Sequence, residues 1–381
     1  MTTALALPED HDAMRAQVRA WAEEHIAPNS RAWDRANVLP LDAVRALGEA
    51  GLLGIISPVE LGGSKRDYVS LGIVIEELAR ADLSCAIICW LQATIGTMLP
   101  GWGDDCVRAV NAGRRIVALA TSEDGSGSDV ASLRSTAQRD GADWVISGEK
   151  IHVSLVPGAD VLAVTARTGE KNGRPAISMF RVGSSSPGVT CSPMEQMGAR
   201  AHQLGRVVLN RVRVPADAVM GGGASGQRAM NVRFNVSRCL SPLAAIGCAQ
   251  KTVEDTIAFA KQHTVFGRPI ATNQAISFPL VEHLTRLEAA RLLAYRALAS
   301  NDKGQPSAKE CAMAKWFGIT SAVQAIQDCL QMHGANGYLT EFPLEQRLRD
   351  AMATFFTGGT VNVMKILLVR EVFGREFTGI D

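Results

Sequence analysis

The stretch STAQRDGADWVISGEK, Ser135–Lys150, decides how the chain folds. Two short runs rich in strand-forming residues meet at Asp140–Gly141, a turn signal, and neither run carries a helical period. The same texture recurs on both sides, in IVALATSE (116–123), ADVLAVTART (159–168), AISMFRV (176–182) and RVVLNRVRVP (206–215). No long helical period fits between these runs. The zone from about 115 to 223 is therefore expected to form an antiparallel sheet and not a strand–helix–strand fold.

Outside that zone the period changes. HDAMRAQVRAWAEEHI (11–26), LDAVRALGEAGLLGI (41–55) and YVSLGIVIEELARAD (68–82) place apolar residues at i, i+3, i+4 and i+7, one face of a helix. Helices return after GGGASGQ (221–227) and continue to the end, in segments 238–263, 275–300 and 307–334. The expected class is α+β in three domains: helical over 1–113, antiparallel β over 114–223, and a helical bundle over 224–381 that could also serve as an oligomer interface.

Bulk properties narrow the function. A chain of 381 residues can bury a large core, and a formal net charge of +1 gives no electrostatic case for nucleic acid or an anionic membrane. The eight cysteines form no CxxC pair and no His cluster stands at zinc spacing, so a metal site is not expected and free thiols in a reducing compartment are. The N-terminus turns acidic before a signal-like apolar stretch develops, which points to the cytoplasm. LSCAIICWLQATIGTMLPGWG (83–103) has no charge, but Ser84, Gln92, Thr94 and Thr97 interrupt it. Polar groups are costly in lipid, so it reads as a buried helix and not a membrane span.

Four motifs in order carry a resemblance over essentially the whole chain. ATSEDGSGSDVASLRSTAQRDG (120–141), GEKIHVS (148–154), KQHTVFGRPIATNQAISF (261–278) and QMHGANGYLTEFPLEQRLRDA (331–351) resemble the acyl-CoA dehydrogenase superfamily. That resemblance implies its fold, FAD as cofactor, and oxidation of an acyl thioester, on CoA or a carrier protein, to the α,β-unsaturated product. It also implies a homotetramer or homodimer, with electron-transfer flavoprotein as an electron acceptor.

By the same resemblance, Ser122 faces the pyrimidine side of the flavin, Ser154 lies near its N5, and His152 replaces the tryptophan that packs on the ring. Ser and Gly in such a loop also simply make turns. Phe266, Gln274, Gln331 and Gly334 match positions that hold the cofactor's adenine and phosphate end for a neighbouring subunit. Thr360 and Asn362 match closing cofactor contacts. His263 stands where an arginine usually faces the pyrophosphate, and a histidine carries at best a fractional charge at neutral pH. Ser128, Asn235, Ser237 and Arg238 fall on the thioester and its pantetheine arm.

The departure is in ATFFTGGTVNVMK, 353–365. The family's catalytic glutamate, which takes the α-proton, corresponds to Gly358 here, and its other known location corresponds to Ser237. Gly358 keeps only a backbone N–H for the thioester oxygen. Asp82 is the alternative base, though it also suits a helix end. Glu341 and Asp350 read as structural, with Arg349–Asp350 a buried pair, and Cys239 as a small core residue. Three functions remain open: dehydrogenation with a relocated or absent base; redox-neutral elimination such as desulfination, or flavin-dependent oxygenation; and a non-catalytic subunit of a hetero-oligomer.

Overall fold

The computed structural model describes residues 10–129, 132–171, 174–221 and 224–379. Six helices come first: α1 (His11–His25), α2 (Ser30–Ala36), α3 (Leu41–Glu49), α4 (Tyr68–Ala81), α5 (Leu83–Leu91) and α6 (Asp104–Asn111). Every residue of α4 from Ser70 to Arg80 is buried, so α4 is the centre of this part and the others wrap it. Its two internal carboxylates are paired. Glu76 meets Arg15 at 2.9 Å and Arg291 at 2.6 Å, while Glu77 meets Arg19 at 2.7 Å. Burial raises the Glu76 pKa, but Arg291 and Arg15 outweigh it and hold the carboxyl below its usual range.

The uncharged stretch after Ala81 is α5, buried throughout, followed by a π-helical turn over Gln92–Gly96. No described helix is long and apolar enough to cross a membrane.

The β zone builds one sheet from β1 (Val117–Ala120), β2 (Thr136–Asp140), β3 (Asp143–Ser154), β4 (Val161–Lys171), β5 (Arg174–Gly183), β6 (Val189–Met194), β7 (Leu204–Val214) and β8 (Val219–Met220). The order is β6-β7-β3-β2-β4-β5-β8, with β1 added beside β4. The expected antiparallel pairing holds for most neighbours. It fails at β1, which runs parallel to β4 from Val117↔Val161 to Ala120↔Val164, and at the single parallel match Thr136↔Arg167. A parallel pair needs a crossover connection. Here the β2–β3 hairpin supplies it, so no intervening helix is required. The expected domain limit at Gly223 lies outside the described residues.

The chain then returns to helices: α7 (Ala224–Gln262), α8 (Gln274–Asp302), α9 (Ala308–Met332), α10 (Ala335–Tyr338), α11 (Leu344–Met352) and α12 (Val361–Val372). A two-stranded hairpin, β9 (Thr264–Val265) with β10 (Arg268–Pro269), joins α7 to α8. Helices α7, α8 and α9 pack on one another, and α7 also crosses α4. At that crossing Gly247 admits no side chain, because a Cβ would sit 2.0 Å from the carbonyl oxygen of Glu76.

Candidate functional site

The Gly358 turn lies between α11 and α12, and both glycines in it have positive φ, 65° at Gly358 and 95° at Gly359. Such backbone angles favour glycine. Thr360 caps α12, its side chain accepting from the N–H of Val363 at 3.3 Å. The turn is pinned from behind by Lys315 of α9, whose Nζ donates to the carbonyls of Thr357 and of Gly359, the latter at 2.5 Å. In a trans peptide the N–H points opposite to the C=O. With the Thr357 carbonyl turned to Lys315, the Gly358 N–H faces away from it. No acceptor among the described residues bonds the N–H of Gly358 or Thr360.

Lys315 has no exposed surface, and burial followed by the nearby charge of Arg238 pushes its pKa down to about 7. A Cβ added to Gly358 would have one neighbour within 4 Å, that same Nζ, at 3.8 Å. The space a side chain at 358 would enter is thus bordered by an amine that no motif singled out. It could have been flagged only by asking which α9 residue lies opposite the turn.

Arg238 contributes to the same surroundings. Its guanidinium donates to Asn235 Oδ1 at 3.4 Å, its Nε is buried without a partner, and burial lowers its pKa. Ser237 is buried, and its hydroxyl accepts from Trp90 Nε1 of α5 at 3.1 Å. Cys239 is buried, as a core residue would be.

Asp82 stands at the start of α5. It caps α5, accepting from the Cys85 N–H at 2.7 Å and from the Ser30 hydroxyl at 2.5 Å, and burial raises its pKa. Two helical turns, about 12 Å along α5, separate it from Trp90, whose indole bonds Ser237. The expected Arg349–Asp350 pair is corrected. Arg349 instead grips Asp34 through two bonds, at 2.7 and 3.1 Å, and Glu345 at 2.7 Å. Asp350 turns inward to accept from the Ala199 N–H at 2.6 Å. Burial first, then the charge of Asp82, pushes its pKa up to about 8. Glu341 is exposed.

On the sheet, Ser122 lies beside the His152 part of β3, and Ser154 ends the same strand. The Ser122 carbonyl accepts from the Ile151 N–H at 2.9 Å, and His152 sits in the irregular part of β3 with φ 55°. Neither serine hydroxyl has a partner among the described residues. The loop is fixed by a buried ion pair, Lys150 Nζ to Glu123 Oε1 at 2.6 Å, and Glu123 also accepts from the N–H of Ser135 at 3.1 Å. Ser128 is exposed.

A second group forms at the other end of α9. Phe259 stacks on His263 at 4.8 Å and on His333 at 4.1 Å, which brings the β9–β10 segment to the Gln331–Gly334 segment. Here Phe266 is 99% exposed, Gln274 and Gln331 are also exposed, and Gly334 has open space where a Cβ would be. Between Lys315 and Gln331 lie more than four turns of α9, about 24 Å. The two groups are therefore far apart within one chain. Asn362 is exposed on the first turn of α12.

None of the candidate cofactor or substrate residues lines either of two open cavities. One, of about 430 Å³, is lined by Trp102, Asp104 and Arg181; the other, of about 320 Å³, is lined by Asp34, Arg200 and Arg349.

Family models described as Acyl-CoA dehydrogenase, N-terminal domain, middle domain and C-terminal domain match residues 8–109, 118–212 and 224–373. The chain is 32% identical to an acyl-CoA dehydrogenase of Bacillus subtilis, over 95% of this chain and 97% of that one. Among solved structures it is similar to a glutaryl-coenzyme A dehydrogenase in complex with glutaryl-CoA, with a TM-score of 0.92 and 28% identity, covering 98% of this chain and 97% of that one. It is also similar to the prolyl acyl carrier protein oxidase AnaB, with a TM-score of 0.88 and 25% identity, covering 97% and 100%.

Proposed function

Because this chain belongs to the acyl-CoA dehydrogenase family, we propose that it oxidises an acyl thioester at the α,β-bond with no carboxylate at position 358. It is an oxidoreductase, and its cofactor is FAD. The chain's unspent polar groups fit that cofactor. Ser122 and Ser154 have free hydroxyls beside His152, while His263, Phe266, Gln274, Gln331 and Gly334 leave an open polar and aromatic surface. When bound, the flavin supplies the two-electron acceptor.

The observation that carries this reading is the Lys315-pinned turn. It holds the Gly358 N–H free on the side away from α9, where it can donate to a thioester carbonyl. A fixed donor on that oxygen stabilises the enolate-like charge that builds as the α-proton leaves. Arg238 and Asn235 stand by for the pantetheine arm, with Ser128 at its outer end. The substrate class we propose includes thioesters on CoA and on a carrier protein, with an electron-transfer flavoprotein as acceptor.

The base is not supplied by position 358 or by Ser237, and Asp82 spends both carboxylate oxygens on a helix cap and a serine. One observation favours a second reading, redox-neutral elimination. Lys315 lies against the turn with Arg238 near it, and no carboxylate among the described residues pairs with either. The flavin-loaded protein should be mixed anaerobically with a panel of acyl-CoA thioesters, following flavin absorbance and thioester mass together. Bleaching with loss of two hydrogens supports dehydrogenation. An altered thioester mass without bleaching supports elimination, and no change in either overturns both.

A further inference from the structure

Arg233 of α7 is the most deeply buried arginine, and the fold provides it no anion among the described residues. Arg15, Arg80, Arg291 and Arg349 are each paired with a carboxylate. Arg233 is 4% exposed, and no carboxylate, carbonyl or hydroxyl among the described residues accepts from it. Its Nε is fully buried and unbonded, and the ring of its neighbour Phe234 lies 5.7 Å from the guanidinium carbon. Burial pushes its pKa down to about 10, which leaves it a cation at neutral pH. Taking a charge out of water without a partner is strongly unfavourable, so an unpaired buried guanidinium is a site that lacks its ligand.

Its position says which ligand. Residues four apart share a helix face, so Arg233 lies one turn before Ser237 on the face that meets Trp90 of α5. Asn235 and Arg238 occupy the same two turns of α7. A guanidinium recognises a planar oxyanion with two parallel bonds, and the fit is specific to that geometry.

We propose that Arg233 binds an oxyanion of the substrate, a carboxylate carried at the far end of the acyl unit, and so selects acidic acyl thioesters over plain ones. This rests on the thioester reading given above. The phosphates of the CoA arm share the same chemistry, but the depth of Arg233 favours the acyl end.

The test is calorimetric binding to the flavin-loaded protein of glutaryl-CoA, butyryl-CoA and butyryl-pantetheine, for wild type, Arg233→Met and Arg233→Lys, with melting temperatures of the unliganded proteins. Glutaryl-CoA should bind at least about tenfold tighter than butyryl-CoA, as one charge-assisted pair warrants. Arg233→Met should abolish that preference, Arg233→Lys should restore part of it, and Arg233→Met should melt no lower than wild type.

An equal loss for both CoA esters, with butyryl-pantetheine unaffected, would assign Arg233 to a phosphate and overturn the carboxylate. A lower melting temperature with the preference intact would make Arg233 structural and overturn the inference alone. If wild type binds none of the three esters, the thioester reading falls and this inference with it.

Discussion

On the proposed function, position 358 carries no side chain that could take the α-proton. Gly358→Glu restores a carboxylate where the turn has room, at the cost of a left-handed residue, about 1–2 kcal/mol. The variant should fold, lose about that much stability in denaturant titration, and bleach faster with ordinary acyl-CoA thioesters. Unchanged bleaching with bound flavin and bound ester would show that the turn does not face the α-carbon. Asp350 makes a separate prediction. Its folded pKa of about 8 lies above the ordinary carboxyl value, so the folded state holds a proton that the unfolded state releases. Its stability contribution is full below the unfolded pKa and is lost as pH rises from about 4 through 8. Asp350→Asn should therefore gain stability relative to wild type across that window, as chemical denaturation at several pH values would show. The glycine was legible in the sequence because it breaks a motif. Arg233 and Lys315 were not, because what marks them is the partner each lacks or meets across the fold.

At the scale of elements, alternation along the chain was a dependable guide. In β7 the buried positions Gly205, Val207, Leu209, Val212 and Val214 alternate with exposed ones, slipping by one residue at Asn210–Arg211. Nothing local could announce that β1 lies parallel to β4, since a strand's partner is set by how the hairpin between them folds back. Asp82 shows the same limit. Its carboxylate is equally good as a base or a cap, and only its place at the start of α5 separates the two. Asp82→Asn keeps an acceptor for the Cys85 N–H, so flavin reduction should change by less than about twofold while thermal stability stays close to wild type. A loss of reduction of a hundredfold or more would return Asp82 to the chemistry.

At the scale of the molecule, the cofactor-matching residues are dispersed: Ser122, His152 and Ser154 on the sheet, Thr360 and Asn362 at the start of α12, and a group at the end of α9 that displays Phe266, 99% exposed, and Tyr338, 85% exposed. Large aromatic surface of this kind marks an interface. The native mass should be a multiple of the 40.6 kDa chain, and Phe266→Asp should lower both native mass and bound flavin, measured by light scattering with absorbance. Helix α9 is then more than a wall of the bundle. It is a rod of 25 residues, about 37 Å long, that steadies its own copy's Gly358 turn with Lys315 and, in the proposed oligomer, would carry Gln331 to a neighbour's cofactor. A lesion in α9 would spoil two sites at once. When damaged and intact copies are co-expressed, activity would fall faster than the share of intact chains, so a faulty allele would act as a dominant poison and not as a simple loss of dose.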